Sequence, residues 1–206
     1  MDNRGVLAVI SGFSGAGKGT LMNALLEKFD TYALSVSVTT RAPRPGEVDG
    51  REYFFISQEE FDRMAAEGEL LEYARYVNHS YGTPRSYVLK NLEEGNDVLL
   101  EIEIQGALQV REKFPEAILI FVTPPSVDEL ERRLTMRGTE DAETVKQRLA
   151  RAAQEAEGME KYDYLLVNDE ISRCADEMHG VIQSARARMN NHLDLVDEIK
   201  EEMKRF

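Results

Sequence analysis

Short apolar runs alternate with longer amphipathic stretches along this chain. The runs at residues 6–10, 98–100 and 117–122 are almost continuously apolar, which is typical of strands buried on both faces of a parallel sheet. Residues with helical apolar spacing follow each run. This alternation of strand and helix predicts an α/β fold with helices on both faces of the sheet.

The same pattern predicts the individual elements. Strands are predicted at residues 6–11, 33–38, 53–56, 70–76, 97–103, 117–122 and 164–167. Helices are predicted at residues 18–29, 58–67, 84–94, 105–113, 126–136 and 141–158, and from residue 171 onward. Residues 37–50, rich in Ser, Thr, Arg, Pro and Gly, and the charged turn at residues 136–144 interrupt the alternation. Both are expected to be functional insertions on the core.

Composition narrows the class of protein. With 206 residues, of which 42% are hydrophobic and 31% charged, the chain is expected to form one globular domain. The apolar runs are shorter than the ~20 residues of a membrane span, and the first residues lack a signal-peptide pattern. The one cysteine, Cys174, cannot form an internal disulfide, so a cytoplasmic location is expected. The net charge of −13 argues against nucleic acids and membranes as partners.

A glycine-rich segment separates the first predicted strand from the first predicted helix. It runs Gly12-Phe13-Ser14-Gly15-Ala16-Gly17-Lys18-Gly19-Thr20 and contains the pattern G-x-x-x-x-G-K. Glycines let backbone N–H groups converge on phosphate oxygens, and the helix N-terminus adds further donors. We therefore expect the segment from Ser14 to Thr20 to bind ATP, with Lys18 reaching its β- and γ-phosphates. The alternative is a glycine-rich turn that only caps a strand.

One position departs from the phosphate-loop pattern. Gly19 stands where a serine or threonine hydroxyl usually contacts Mg²⁺. The metal is then expected to be held mainly by ATP phosphates and water, with Thr20 shifted in role. The Gly-Lys-Gly-Thr order is also similar to adenylate kinases, so this loop alone leaves the phosphate acceptor open.

A second loop carries two arginines. Arg41 and Arg44 flank Pro43, which excludes a helix, and Pro45 and Gly46 turn the chain. Guanidinium groups bind phosphate oxygens bidentately, so this loop suits a terminal phosphate. Taken by itself, it could equally be an ordinary polar loop.

With this loop the chain resembles the guanylate kinases, which transfer the γ-phosphoryl group of ATP to GMP. Beyond the phosphate loop, the resemblance rests on Thr40-Arg41-Ala42-Pro43-Arg44-Pro45-Gly46-Glu47, Gly50-Arg51-Glu52-Tyr53-Phe54-Phe55, Leu71-Glu72-Tyr73-Ala74, Tyr81-Gly82-Thr83, Ile102-Glu103-Ile104-Gln105-Gly106, Pro124-Pro125-Ser126, Arg137-Gly138-Thr139-Glu140 and Val167-Asn168-Asp169. It implies a single domain over residues 1–206 with a three-layer P-loop NTPase core and a parallel sheet. The core would comprise residues 1–36, 87–126 and 158–206, with a mixed α/β GMP-binding insertion at 37–86 and a helical lid at 127–157.

The resemblance also implies roles for individual residues. The GMP site would consist of Ser37, Arg41, Arg44, Tyr53, Glu72, Tyr81, Thr83 and Glu103. Arg41, Arg44, Tyr53 and Tyr81 would hold the phosphate, and Ser37, Glu72 and Thr83 would recognise guanine. The transferred phosphoryl group would be surrounded by Lys18, Arg44, Arg137 and Arg148, with Asn168 and Asp169 near the adenine. A carboxylate such as Glu72 can accept from guanine N1–H and N2–H₂, two donors that adenine lacks on that edge.

Glu101 and Glu103 end a predicted buried strand. Period-two alternation would place both side chains on the same side of that strand. Two carboxylates near a phosphate loop suit Mg²⁺, in part through water, and Glu101 is the metal candidate. The guanylate kinases usually have aspartate at one or both positions, and the alternative is a strand end that reaches solvent.

The remaining charged and amphipathic segments have simpler explanations. Arg132 and Arg151 are expected on solvated helix faces. The amphipathic segment from residue 193 is expected to pack on the core or on a neighbouring chain, which makes a homo-oligomer a candidate state. Two alternative functions are a kinase for another nucleoside monophosphate, which would leave Glu72 with Ser37 unexplained, and a non-catalytic guanylate-kinase-like module. Such modules typically lose the phosphate loop that this chain retains.

Overall fold

The computed structural model describes residues 4–76, 78–136 and 142–206, excepting the side chains of Tyr76 and Ala142. The strands are β1 (Leu7–Gly12), β2 (Tyr32–Leu34), β3 (Val38–Thr39), β4 (Phe54–Phe55), β5 (Leu70–Tyr76), β6 (His79–Pro84), β7 (Asp97–Glu101), β8 (Ile118–Thr123) and β9 (Tyr164–Val167). The helices are α1 (Lys18–Lys28), α2 (Gln58–Ala66), α3 (Arg85–Glu93), α4 (Ile104–Lys113), α5 (Val127–Met136), α6 (Ala142–Ala156), α7 (Ile171–Arg186) and α8 (Leu193–Met203).

A parallel five-stranded sheet with the strand order β2-β7-β1-β8-β9 forms the centre of the molecule. Side chains of β1 alternate between its two faces: Ala8 and Ile10 pack with α1 and α7, whereas Leu7 and Val9 pack with α3 and α4. Both faces are therefore buried, which explains the continuous apolar runs. The predicted α/β class with a parallel sheet is confirmed.

A smaller sheet with the strand order β4-β3-β6-β5 follows β2 in the chain. In this sheet β6 is antiparallel to both β3 and β5, and Phe61 of α2 packs against Val38 and Leu70. The single strand predicted at residues 33–38 is wrong, because the chain leaves the central sheet after Leu34 and enters the smaller sheet at Val38. Strand β6 was not predicted.

Two further predictions at the ends of elements are corrected by the structure. Strand β7 ends at Glu101, and Glu103 is the N-cap residue of α4, so the two carboxylates do not alternate along one strand. Beyond residue 171 the chain forms α7 and then α8, whose residues are all at least partly exposed. No residue of α8 is buried in the core, and the other expectation, that this helix packs on a neighbouring chain, stays a prediction. Among the described residues, no helix is long and apolar enough to cross a membrane.

Asp97 joins three separate segments of the core. Its fully buried carboxylate accepts a hydrogen bond from the backbone N–H of Val6 at 2.8 Å and lies 2.9 Å from Nε of Arg186. Arg186 in turn donates to the carbonyl of Gly95 at 2.5 Å. The carboxylate therefore ties the beginning of β1 and the last turn of α7 to the beginning of β7.

Replacing Asp97 with alanine is expected to lower the free energy of unfolding by about 3 kcal/mol, since it leaves the Val6 N–H and the Arg186 charge without their partner. Chemical denaturation measures this difference. Asp176→Ala is the matched control, because Asp176 pairs with Lys28 on the exposed surface and such a pair contributes at most about 1 kcal/mol. Equal losses for the two variants would contradict the prediction.

Candidate active site

The glycine-rich loop turns from β1 directly into α1. Gly15 and Gly17 have φ values of 94° and 85°, in the left-handed region that favours glycine. A Cβ atom on Gly17 would also stand 2.7 Å from Nδ2 of Asn168. Lys18 begins the helix, and its Nζ donates to the carbonyls of Gly12 at 2.7 Å and Phe13 at 3.2 Å. The loop has the strand–turn–helix setting that phosphate binding requires, with Ala16 buried and Gly19 and Thr20 exposed on the first helical turn.

A second segment closes against this loop from the end of β9. The buried side chain of Asn168 donates through Nδ2 to the carbonyl of Ala16 at 2.8 Å. Arg133 of α5 donates to the carbonyls of Asn168 at 2.8 Å and Ala16 at 3.3 Å, so it ties both segments together. Sequence reasoning gave Arg133 no role. Asp169 is exposed and bonds to the guanidinium of Arg173, which lowers the pKa of that carboxyl.

The arginine loop is organised by Glu47. Its two carboxylate oxygens each lie 2.9 Å from a guanidinium nitrogen of Arg41, and one of them also accepts from the backbone N–H of Arg44 at 2.7 Å. Hydrogen bonding to Arg41 is the main reason that the pKa of Glu47 falls to about 2. The Arg41 guanidinium also lies over the ring of Tyr53, 5.3 Å from its centroid. Sequence reasoning quoted Glu47 only as part of a motif and missed this orienting role.

Other residues predicted to contact GMP lie near this loop and differ in how far they are buried. The rings of Tyr53 and Tyr81 are 5.9 Å apart between centroids, and burial raises the pKa of Tyr53. Ser37 lies between β2 and β3, where its carbonyl accepts from the N–H of Phe54. Arg44 is exposed. The structure thus brings Arg41, Tyr53 and Tyr81 together and leaves the Arg44 side chain at the surface.

Glu72 is a buried carboxylate on β5. Its Oε1 accepts from the hydroxyl of Thr83 on β6 at 2.7 Å. Its Oε2 lies 2.8 Å from the point where a Cβ on Gly106 would stand, so glycine at this position of α4 leaves space for the carboxylate. Burial raises the pKa of Glu72, and the Thr83 hydrogen bond partly opposes that rise. Sequence reasoning did not anticipate this use of Gly106.

Helix α6 covers a cavity of about 340 Å³ beside the phosphate loop. Its Arg148 lies 3.4 Å from the hydroxyl of Ser14, and its Arg151 lies 2.7 Å from a carboxylate oxygen of Glu103. The side chain of Arg151 is 42% exposed, as expected on a solvated helix face, and it also lines the cavity, which was not expected. Arg132 does lie on an exposed face of α5, where it pairs with Glu129. Arg137, predicted to be catalytic, lies outside the described residues.

The cavity contains oxygen ligands that suit a hard cation. Glu101 is exposed at the end of β7 and lines the cavity near Lys18. Across the part of the chain that the structure describes, no cluster of three His, Cys, Asp or Glu side chains forms a ready metal site. A single carboxylate such as Glu101 fits Mg²⁺, because proteins often bind this ion through one or two carboxylates together with water and substrate phosphates.

Comparisons with known proteins agree on one family. The sequence model of the guanylate kinase family matches residues 4–185. A guanylate kinase of Caldanaerobacter subterraneus subsp. tengcongensis is 51% identical over 202 residues, which cover 98% of each chain. A guanylate kinase of Latilactobacillus sakei is also 51% identical, over 94% of this chain and 96% of the relative. The crystal structure of guanylate kinase from Anaplasma phagocytophilum is 37% identical and superposes with a TM-score of 0.71, covering 90% of this chain and 88% of that one.

Proposed function

Since this chain belongs to the guanylate kinase family, we propose that it transfers the γ-phosphoryl group of ATP to the phosphate of GMP, giving ADP and GDP. It is a phosphotransferase, and this proposal assigns its two substrates. Of the residues proposed for ATP, Ser14 and Lys18 line the cavity, whereas most of those proposed for GMP belong to the smaller sheet and its loops. In a reaction of this kind, the protein contributes mainly position and positive charge.

The ATP side of the proposal rests on the phosphate loop. The backbone N–H groups of Ser14 to Thr20, at the positive end of α1, would contact the phosphates, and Lys18 would neutralise the β- and γ-phosphates. Asn168 and Asp169 would lie beside the adenine. The hydrogen bond from Asn168 to Ala16 supports this, because it keeps the two ATP-binding segments in contact.

The choice of guanine rests on one observation, the buried carboxylate of Glu72. Thr83 donates to one of its oxygens, and guanine offers two N–H donors that a carboxylate can accept. A buried carboxylate is costly without such donors, so the site favours a base that supplies them. Ser37 would contact the same base. Arg41, Arg44, Tyr53 and Tyr81 would hold the GMP phosphate.

The phosphoryl group would pass between these two sites. Its transition state spreads negative charge over equatorial oxygens, which positioned cations stabilise. Lys18 and Arg148 line the cavity and supply two of these charges. Arg44 and Arg137 are proposed to supply the others. The insertion at residues 37–86 and the lid at 127–157 are proposed to close on the substrates and exclude water.

Mg²⁺ is proposed to be needed with ATP. When bound, it would neutralise phosphate charge. Glu101 is the carboxylate proposed to hold it, partly through water, and Glu103 is proposed to face GMP. The proposed location is the cytoplasm. The exposed apolar face of α8 leaves a homo-oligomer through this helix as a candidate state.

A coupled assay of ADP formation tests the proposed function. With ATP and Mg²⁺, we expect turnover with GMP and at least about 100-fold lower kcat/KM with AMP or UMP, because a site built to bond guanine rejects bases that leave its polar groups unpaired. Comparison of dGMP with GMP measures the contribution of the ribose 2′-hydroxyl. Absence of GMP-dependent ADP formation by the folded protein would refute the proposal, and a preference for AMP would make it a different nucleoside monophosphate kinase.

A further inference from the structure

The cavity beside the phosphate loop has a balanced set of charged side chains. Three cations and three carboxylates line it: Lys18, Arg148, Arg151, Glu101, Glu103 and Glu155. The phosphoryl-transfer proposal uses Lys18, Arg148 and Glu101 in the reaction centre. Arg151 and Glu155 have no part in it, although both lie on the helix that carries Arg148.

The contacts of Arg151 include an ion pair within its own helix and an ion pair across the cavity. Its Nε lies 3.2 Å from Oε1 of Glu155, one turn further along α6. Its Nη2 lies 2.7 Å from Oε2 of Glu103, the residue that caps α4. The planar guanidinium has donors on two edges and can therefore bridge two carboxylates at fixed angles. The Glu155 contact orients the group, and the Glu103 contact joins the lid to the core.

This second contact differs from the ion pair that Arg132 makes on α5. Arg132 pairs with Glu129 of its own helix, and such a pair does not restrain one element against another. Arg151 and Glu103 are far apart in the chain and lie on helices of the lid and of the core. Arg148, three residues before Arg151 and on the same helix face, lies beside Ser14 of the phosphate loop. A contact that holds Arg151 against the core therefore also restrains the helix that carries Arg148.

We propose that Arg151 is a positioning residue, which clasps the lid helix to the core through Glu103 and thereby places Arg148 over the phosphate loop. Both partners are partly exposed, and an ion pair of this kind contributes at most about 1 kcal/mol, or about fivefold in an equilibrium. That strength suits a contact that opens and closes once per turnover. The inference rests on the proposed function in one respect, since Glu103 is also proposed to face GMP.

The test compares Arg151→Gln with Arg132→Gln, which removes an arginine from an exposed pair within one helix. Arg151→Gln is expected to lower kcat about fivefold while leaving the KM for ATP within about twofold, and Arg132→Gln is expected to change neither. In a Glu103→Gln background, Arg151→Gln should cause no further loss, because the contact is already broken. An unchanged kcat, or the same loss in both backgrounds, would overturn the proposal.

Hydrogen exchange of the nucleotide-free protein gives a second readout that does not depend on activity. Amides of α6 should exchange faster in Arg151→Gln than in Arg132→Gln, because the helix has lost its tie to the core. Equal exchange rates of the α6 amides in the two variants would overturn the proposal that Arg151 holds α6 to the core. The same measurement separates the role of Arg151 from the proposed function. If the unaltered enzyme had no GMP-dependent turnover, the proposed function would fail. The exchange rates would still show whether Arg151 holds α6 to the core.

Discussion

Arg148→Ala is expected to lower kcat for the ATP–GMP reaction by about 10³-fold while leaving the KM for GMP within about threefold. The guanidinium lies 3.4 Å from the hydroxyl of Ser14, where it can approach phosphates bound by the loop. A cation that contacts the transferred group mainly in the transition state affects kcat far more than substrate binding, and arginines in this role contribute about 10³ to 10⁵ in rate.

The matched control for this variant is Arg132→Ala. Arg132 lies on the neighbouring helix α5 and is exposed, with its guanidinium paired to Glu129, so its removal should leave kcat unchanged. Steady-state kinetics with both substrates varied gives kcat and both KM values. A loss of less than about tenfold for Arg148→Ala, or an equal loss for Arg132→Ala, would remove Arg148 from the reaction centre.

Glu72→Gln is expected to lower kcat/KM for GMP by about 10³-fold without changing the KM for ATP. The glutamine amide would direct N–H donors toward the N–H donors of guanine, which leaves buried polar groups unpaired in the complex. The ratio of kcat/KM for GMP to that for AMP should fall with it. An unchanged ratio would mean that Glu72 does not recognise the base.

The fold of this variant is expected to survive. Glutamine retains a carbonyl oxygen that can accept from Thr83. Burial raises the pKa of Glu72 in the folded state, so the ionised carboxylate costs stability at any pH above that pKa, and the neutral amide avoids this cost. The free energy of unfolding at neutral pH should therefore not decrease. Glu69→Gln, at an exposed glutamate just before β5, is the control for both measurements.

Local patterns predicted the parts of the molecule that local sequence controls. Strand β1, the glycine-rich loop and α1 follow one another with the expected period and the expected glycines, and the structure has them within one residue of the predicted bounds. The family to which the chain belongs was also accessible, because its motifs are ordered segments of sequence. Periodicity, by contrast, does not specify which sheet a short strand joins.

Elements that depend on distant partners were predicted poorly. Residues 33–38 have one continuous strand-like pattern, yet the chain changes sheet because Leu34 pairs with Leu99 and Val38 pairs with Gly82. The sequence His79–Pro84 contains glycine and proline and little apolar periodicity, so β6 is stabilised by its neighbours rather than by its own propensity.

The sequence proposes residue types for the candidate site, but it does not show the contacts that these residues make. Arg151 and Arg132 look alike in sequence, since each has acidic neighbours at helical spacing. Their difference arises because α6 faces the cap of α4 across a cavity, a relation between residues far apart in the chain. Glu47 is likewise only part of a motif in the sequence, and its role in holding Arg41 follows from two contacts that the sequence does not show.

The close approach of Glu72 to α4 makes the position of its carboxylate depend on residue 106. The carboxylate fits there because residue 106 has a hydrogen atom where every other amino acid has a carbon, and that carbon would stand 2.8 Å from Glu72 Oε2. A methyl group at this position would push the carboxylate away before any nucleotide entered. The base recognition proposed for Glu72 therefore also depends on Gly106, a residue that has no functional group to bond to a nucleotide.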